Sequence, residues 1–179
     1  VATLTASREG VHLIRATADG GERHRLSAGI AGATADSSGA GEIRVGRHAD
    51  GGVFFVTVEP MHGTAVAVCR PSAAGVLAPW ERTVIDEGYA RGHALATADL
   101  DGDGGDEIVF GSSDPSPVAG HGPTVAVYRS GADGTRTDRP AWSRTVLDAG
   151  GVAVEDIAVG DLTGDGRPDI VAVGRATHN

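Results

Sequence analysis

Two acidic loops in the sequence have the residue types and the spacing of a site for a hard cation. The first, residues 99–109, reads DLDGDGGDEIV, and the second, residues 161–171, reads DLTGDGRPDIV. In both loops oxygen-bearing side chains alternate with glycines, which let the backbone fold tightly around an ion. Oxygen ligands of this kind replace the water shell of Ca²⁺. The sequence therefore predicts two calcium sites, each followed directly by an apolar strand.

The position of the last acidic residue separates these loops from the helix-loop-helix calcium site. That site also begins D-x-D-x-D-G, but it ends on a bidentate glutamate at its twelfth position. Phe110 and Ala172 occupy the twelfth positions here, which excludes that site. The acidic residues that can complete the loops stand at the ninth positions instead. The predicted ligands are Asp99, Asp101, Asp103, the Gly105 carbonyl and Glu107 in the first loop, and Asp161, Thr163, Asp165, the Arg167 carbonyl and Asp169 in the second.

The two loops belong to a longer internal repeat. Residues 80–86, WERTVID, return as residues 142–148, WSRTVLD, and both this segment and the loops recur at an offset of 62 residues. Units of this length indicate a repeat architecture such as a propeller or a solenoid. A weaker copy precedes them, in which Arg47 and His48 stand where the other copies have Asp-Leu. We expect this copy to bind no cation.

Each unit contains four short apolar runs separated by Gly, Pro, Asp and Ser, which is typical of a four-stranded propeller blade. We predict an all-β fold without helices: a β-propeller of four-stranded antiparallel blades, with about three blades present and the ring incomplete. The predicted division is a single propeller segment, 1–179, with a partial blade at 1–27, a degenerate blade at about 43–85, and calcium-loop blades at about 94–147 and 156–179, the last incomplete. The predicted strands are 1–6, 11–16, 24–27, 43–46, 53–58, 64–69, 81–85, 94–98, 107–111, 124–129, 143–147, 156–160 and 169–173.

The nine-residue loop with its following strand resembles the FG-GAP or VCBS repeat, the calcium-loop blade of integrin-type β-propellers. The resemblance implies a calcium-stabilised, extracellular or secreted module that recognises carbohydrate or protein. A purely structural repeat array of a surface protein is an alternative. Because a propeller closes with roughly four to eight blades, we expect the chain to be a piece of a longer one that supplies further blades; assembly with another copy is the alternative.

Several histidines and carboxylates are expected on the face opposite the calcium loops. His93 precedes a predicted strand, its repeat partner 62 residues later is Glu155, and Asp156 follows; His178 comes after the last predicted strand. Converging imidazoles and carboxylates can bind Zn²⁺ or act as a general acid and base. The alternative is a set of exposed loop residues without a function.

A second resemblance concerns the same residues. Segments 152–162, 174–179 and 92–95 resemble the propeller part of aldos-2-ulose dehydratase-like proteins, which eliminate water from oxidised sugars such as anhydrofructose with the help of a metal. This resemblance implies a carbon–oxygen lyase as an alternative function. Its candidate catalytic residues are His93, Glu155, Asp156 and His178, with Zn²⁺ on that face as a further expected cofactor.

Composition narrows the choice of partners. The net charge of −9 disfavours nucleic acid and anionic membrane surfaces as partners. No apolar stretch is long enough to span a membrane, so we expect no membrane insertion. Cys69 is the single cysteine, which rules out a disulfide within the chain, and we expect it to be a packing residue.

Overall fold

The computed structural model describes residues 1–131 and 142–176. These residues form an all-β structure of thirteen strands, with one 3-10 helix of three residues, Ala35–Ser37. Every predicted strand overlaps an observed one, so the all-β, antiparallel prediction is confirmed. The strands are β1 (Ala2–Ser7), β2 (Gly10–Thr17), β3 (Gly20–Ser27), β4 (Ile43–Arg47), β5 (Val53–Glu59), β6 (Ala65–Arg70), β7 (Glu81–Glu87), β8 (Gly92–Ala98), β9 (Glu107–Ser112), β10 (Thr124–Ser130), β11 (Trp142–Ala149), β12 (Val152–Gly160) and β13 (Asp169–Ala176).

The strands form four separate antiparallel sheets in which neighbours in the chain are neighbours in the sheet. The first sheet is β1-β2-β3, the second β4-β5-β6-β7, the third β8-β9-β10-β11 and the fourth β12-β13. Within the described residues these sheets do not join into a closed barrel or ring. In the part of the chain that the structure describes, no helix is long and apolar enough to cross a membrane.

Successive sheets pack face to face, and each interface is a separate apolar cluster. Val11 and Leu26 of the first sheet pack with Phe55 of the second. A second cluster joins the second sheet to the third, and its buried members are Phe54, Val56, Val58, Val66, Val68, Tyr89, Leu95, Ile108, Phe110, Ala126 and Tyr128. A third cluster joins the third sheet to the fourth, and its buried members are Ala94, Ala96, Val109, Val125, Val127, Val154 and Ile157.

An equivalent β-bulge recurs in the first three sheets. In each of these sheets the last strand contains one residue that has no partner in the neighbouring strand. These unpaired residues are Leu26, Ile85 and Leu147. Leu26 is buried and Ile85 is packed against the core, whereas Leu147 is 55% exposed. The repeat seen in the sequence is therefore also a repeat of backbone irregularities.

Cys69 lies in the interface between the first and second sheets and is fully buried. Burial raises the pKa of its thiol to about 12, which keeps it protonated at neutral pH. A protonated, buried thiol is a poor nucleophile. Cys69 therefore acts as a small apolar residue, as expected from the sequence.

Candidate metal site and histidine cluster

The first acidic loop, residues 99–106, connects β8 to β9 and is folded by its own carboxylates. The Asp99 carboxylate accepts hydrogen bonds from the backbone N–H of Gly102 at 2.7 Å and of Gly104 at 3.0 Å. Both glycines have a left-handed backbone conformation, with φ of 80° and 89°. The Glu107 carboxylate accepts from the Leu100 N–H at 2.8 Å and closes the loop. The spacing predicted from the sequence thus produces a closed turn around a carboxylate.

Three carboxylates converge in this loop. Oxygen atoms of Asp99, Asp101 and Glu107 all lie within 4.8 Å of one another. Glu107 is only 4% exposed, and its burial, with the nearby charges of Asp101 and Asp103, raises its pKa. A cation among these oxygens would neutralise charges that otherwise repel one another. Ligand atoms that are all carboxylate oxygens suit Ca²⁺ better than a metal that prefers nitrogen or sulfur.

The predicted ligand set of the first loop is reproduced in part. Asp99, Asp101 and Glu107 meet as expected, whereas Asp103 lies outside this group. The Asp103 carboxylate instead accepts a hydrogen bond from the Gly105 N–H at 2.7 Å. Asp103 therefore shapes the turn in this structure.

The second loop, residues 161–168, connects β12 to β13 and repeats the hydrogen bonds of the first. Asp161 accepts from the N–H groups of Gly164 at 2.7 Å and Gly166 at 2.9 Å. Asp169 accepts from Leu162 N–H at 2.8 Å and from Thr163 N–H at 3.1 Å. Asp165 accepts from the Arg167 N–H at 2.9 Å, as Asp103 does from Gly105. The two loops therefore share four bonds, those to Asp99 or Asp161 from two glycines, to Glu107 or Asp169 from a leucine, and to Asp103 or Asp165 from the residue two positions later. They differ at Thr163, which replaces the converging Asp101.

The corresponding turn of the second sheet is shorter and carries one carboxylate. Residues 48–52 connect β4 to β5, and backbone bonds between His48 and Gly52 and between Gly51 and His48, both 2.8 Å, close the turn. The Asp50 carboxylate accepts from the Gly52 N–H at 2.8 Å. A turn of this length with a single carboxylate does not provide the ligand set of the other two loops.

Asp106 fastens the first loop to the preceding sheet. Its N–H donates to the Arg47 carbonyl at 2.7 Å, and its carboxylate accepts from the Arg47 N–H at 2.9 Å. The hydroxyl of Thr97 also donates to the Val45 carbonyl at 2.7 Å. This role of Asp106 was not predicted from the sequence. The two loops differ at this position, where the second has Pro168, and that difference was the available signal.

The structure brings His93 and Glu155 together. The His93 Nδ1 donates to the Glu155 carbonyl at 3.0 Å, and its Nε2 lies 3.3 Å from the Glu155 carboxylate. Both residues are at β-bulges, His93 in β8 and Glu155 in β12. The His62 ring stacks on His93 with 4.6 Å between centroids, and the Arg175 guanidinium lies 3.3 Å from the other Glu155 oxygen. Arg175 was not among the predicted site residues.

The other two predicted members of this cluster are not brought into it. Asp156 is exposed, and its carboxylate accepts a hydrogen bond from the Ile157 N–H at 2.8 Å. His178 lies outside the described residues. The group present in the structure is therefore His62, His93, Glu155 and Arg175.

A polar network that the sequence did not reveal joins the second and third sheets. Asp86 accepts hydrogen bonds from the hydroxyls of Tyr89 and Tyr128, both at 2.9 Å, and contacts His121 Nε2 at 3.0 Å. Arg144 Nε lies 3.5 Å from the same carboxylate. Burial alone would raise the pKa of Asp86, but the hydrogen bonds from His121, Tyr128 and Tyr89 outweigh it and lower the pKa. Burial raises the pKa of both tyrosines.

No protein-family profile matches the chain, and no curated protein matches it. The assignment of a function therefore depends on the geometry of the two loops and of the opposite face.

Proposed function

We propose that the chain is a segment of a calcium-stabilised β-propeller of the FG-GAP or VCBS type, serving as an extracellular recognition module for carbohydrate or protein. One observation carries the proposal. The oxygens of Asp99, Asp101 and Glu107 converge within 4.8 Å in a loop whose hydrogen bonds recur 62 residues later. This convergence of carboxylates, in a turn that occurs twice, supports a cation site better than a single acidic turn would.

The arrangement of the sheets supports the propeller part of the proposal. The second and third sheets are four-stranded antiparallel meanders, and each packs face to face on the next. The first strand of each of these sheets contacts the first strand of the next, β4 with β8 and β8 with β12. Blades of a propeller are related in this way around their common axis.

Calcium would stabilise the folded chain because the ligands converge only when the loop is folded. A ligand that binds the native state alone adds RT ln(1 + [L]/Kd), about 2.7 kcal/mol at a hundredfold excess over Kd. The first loop would hold the ion through the carboxylates of Asp99, Asp101 and Glu107. In the second loop Asp161 and Asp169 take the equivalent places.

Isothermal titration calorimetry with CaCl₂ tests this proposal. The wild-type chain should bind two calcium ions, Asp99→Asn should remove one site and Asp161→Asn the other. Asp50→Asn is the matched control, because Asp50 occupies the short turn of the second sheet. Absence of calcium binding to the folded wild type, or an equal loss in Asp50→Asn, would refute the proposal.

A second candidate function is the metal-assisted dehydration of an oxidised sugar on the opposite face, and the His93–Glu155 contact favours it. An imidazole 3.3 Å from a carboxylate is a suitable general acid and base, and Arg175 holds that carboxylate from the other side. The donor set also fits Zn²⁺ in part, since imidazole nitrogen and carboxylate oxygen are both zinc ligands. Zinc would have to displace the contact between His93 Nε2 and the carboxylate.

Turnover of an anhydrofructose-type sugar, together with zinc analysis by mass spectrometry, tests the second candidate. His93→Gln should lower the rate at least about a hundredfold, as expected for loss of a general acid or base. His24→Gln, in the first sheet, is the control and should leave the rate unchanged. Absence of turnover by the wild-type chain would remove this candidate without affecting the calcium proposal.

A further inference from the structure

A cleft of about 590 Å³ lies between the two acidic loops. Its walls come from Asp99, Leu100 and Asp101 of the first loop and from Arg167 and Pro168 of the second, with one glycine from each. The volume falls in the range of about 300–1,000 Å³ that is usual for small-molecule sites. The cleft is therefore large enough for a ligand that touches both loops.

The two loops that border the cleft lack a contact that the preceding junction has. At that junction, one sheet earlier, Asp106 makes two hydrogen bonds with Arg47. The second loop has Pro168 at the position of Asp106. Proline has no N–H to donate and no carboxylate to accept, so neither bond can form.

The chemistry of the walls selects the ligand. Asp99 and Asp101 supply hydrogen-bond acceptors, the exposed Arg167 supplies donors, and Leu100 and Pro168 supply apolar surface. The two carboxylates repel an anionic ligand but accept hydrogen bonds from hydroxyl groups. A sugar ring matches this combination, because its hydroxyls both donate and accept while its C–H face is apolar.

Calcium in the first loop would add a further contact. Ca²⁺ takes six to eight oxygen ligands, and Asp99 and Asp101 both face the cleft while belonging to the group that converges in the loop. A vicinal pair of hydroxyls can fill the remaining coordination positions. We propose that this cleft binds a neutral saccharide through a vicinal diol, an inference that rests on the calcium proposal above and specifies its ligand.

Amide chemical-shift titration of the ¹⁵N-labelled chain tests the proposal, with maltose as the neutral probe and glucuronate as the anionic one. In the presence of calcium, maltose should shift the amides of Leu100, Gly102 and Gly166, and EDTA should abolish these shifts. Arg167→Ala should weaken maltose binding about tenfold, the cost of losing a charged hydrogen-bond donor. Arg8→Ala, in the exposed turn between β1 and β2, should leave it unchanged.

The outcomes separate this proposal from the one on which it rests. A calcium titration of the wild-type chain, recorded beside the maltose titration, shows whether the loops bind the ion. Normal calcium binding without maltose shifts at the cleft, or tighter binding of glucuronate than of maltose, would overturn the saccharide site alone. Absence of calcium binding would overturn both proposals.

Discussion

At the scale of residues, the two loops differ in charge although their hydrogen bonds agree. The first loop offers four of its predicted ligands as carboxylates, whereas the second offers three and the neutral Thr163. The carboxylate at the ninth position is also more buried in the first loop, since Glu107 is 4% exposed and Asp169 is only half-buried. Affinity for Ca²⁺ rises with the number of charged ligands. The first loop should therefore be the tighter site.

Paired substitutions measure this difference. Asp103→Ala should cost more calcium affinity than Asp165→Ala, with a loss of at least about tenfold in the first loop, because Asp103 supports the turn in which three carboxylates converge. Calorimetry on both variants provides the comparison. Equal losses would mean that the rigidity of the loops, and not their charge, sets the affinity.

The Asp86 network makes stability depend on pH. Because the pKa of Asp86 is lowered in the folded state, the unfolded chain binds more protons just below its ordinary pKa of about 3.9. The stabilisation is present above that pH and is lost as the pH falls through the folded-state pKa. Asp86→Asn should cost about 2 kcal/mol at pH 7 and make the acid limb less steep.

Urea unfolding between pH 7 and pH 2 provides this measurement. EDTA in every sample keeps calcium from contributing through the loops. Asp36→Asn is the control, because the Asp36 carboxylate is exposed and pairs with Arg8 beside the first sheet. An unchanged acid limb in Asp86→Asn would show that the network does not contribute to folding stability.

At the scale of elements, Asp106 makes the first loop part of an interface between sheets. Its two backbone-directed bonds with Arg47 connect the loop to the end of β4. An ion that orders the loop should also order this contact, because the loop and the contact share the same few residues. Calcium should therefore strengthen the attachment of the third sheet to the second.

Hydrogen exchange at the Arg47 amide follows this coupling. Calcium should raise its protection in the wild type, and Asp106→Ala should abolish the increase and cost about 1–2 kcal/mol of stability. Pro168→Ala is the matched control, since the equivalent residue of the second loop makes no such contact. Protection of Arg47 that does not respond to calcium would show that the ion and the interface are independent.

The strands were predictable where side chains alternate and less so where bulges interrupt them. Predicted strands began at Ala94 and Asp156, but β8 and β12 start at Gly92 and Val152 because a bulge at His93 and at Glu155 breaks the alternation. The same bulges place these two residues in contact, which the 62-residue offset did anticipate. Spacing alone anticipated the convergence of Asp99, Asp101 and Glu107, but it did not anticipate that Asp103 lies outside this group.

The Asp86 network could not be predicted because its members come from separate elements. Asp86 is the next-to-last residue of β7, His121 lies in the segment between β9 and β10, and Tyr128 is within β10. Tyr128 occupies the position of Cys69 in the repeat, so nothing in the sequence of either unit specified a partner. Such contacts depend on how two sheets pack, which periodicity does not determine.

At the scale of the whole molecule, four sheets pack in succession through close backbone contacts. Gly111 of β9 lies against the fourth sheet, and a Cβ atom at this position would stand 2.4 Å from Val154 Cγ1. Gly111→Ala should therefore separate the third and fourth sheets and cost about 1–3 kcal/mol, the usual effect of overpacking. Gly160→Ala is the control, because a Cβ there meets nothing within 4 Å. Equal urea midpoints for the two variants would contradict the tight packing of these sheets.

The central claim is that both loops bind calcium and stabilise the molecule by doing so. The most direct measurement is the melting temperature of the wild-type chain in calcium and in EDTA, beside that of the double variant Asp99→Asn, Asp161→Asn. The wild type should melt at a clearly lower temperature in EDTA, and the double variant should melt at the same temperature in both. A wild-type melting temperature that is the same in calcium and in EDTA would contradict the claim.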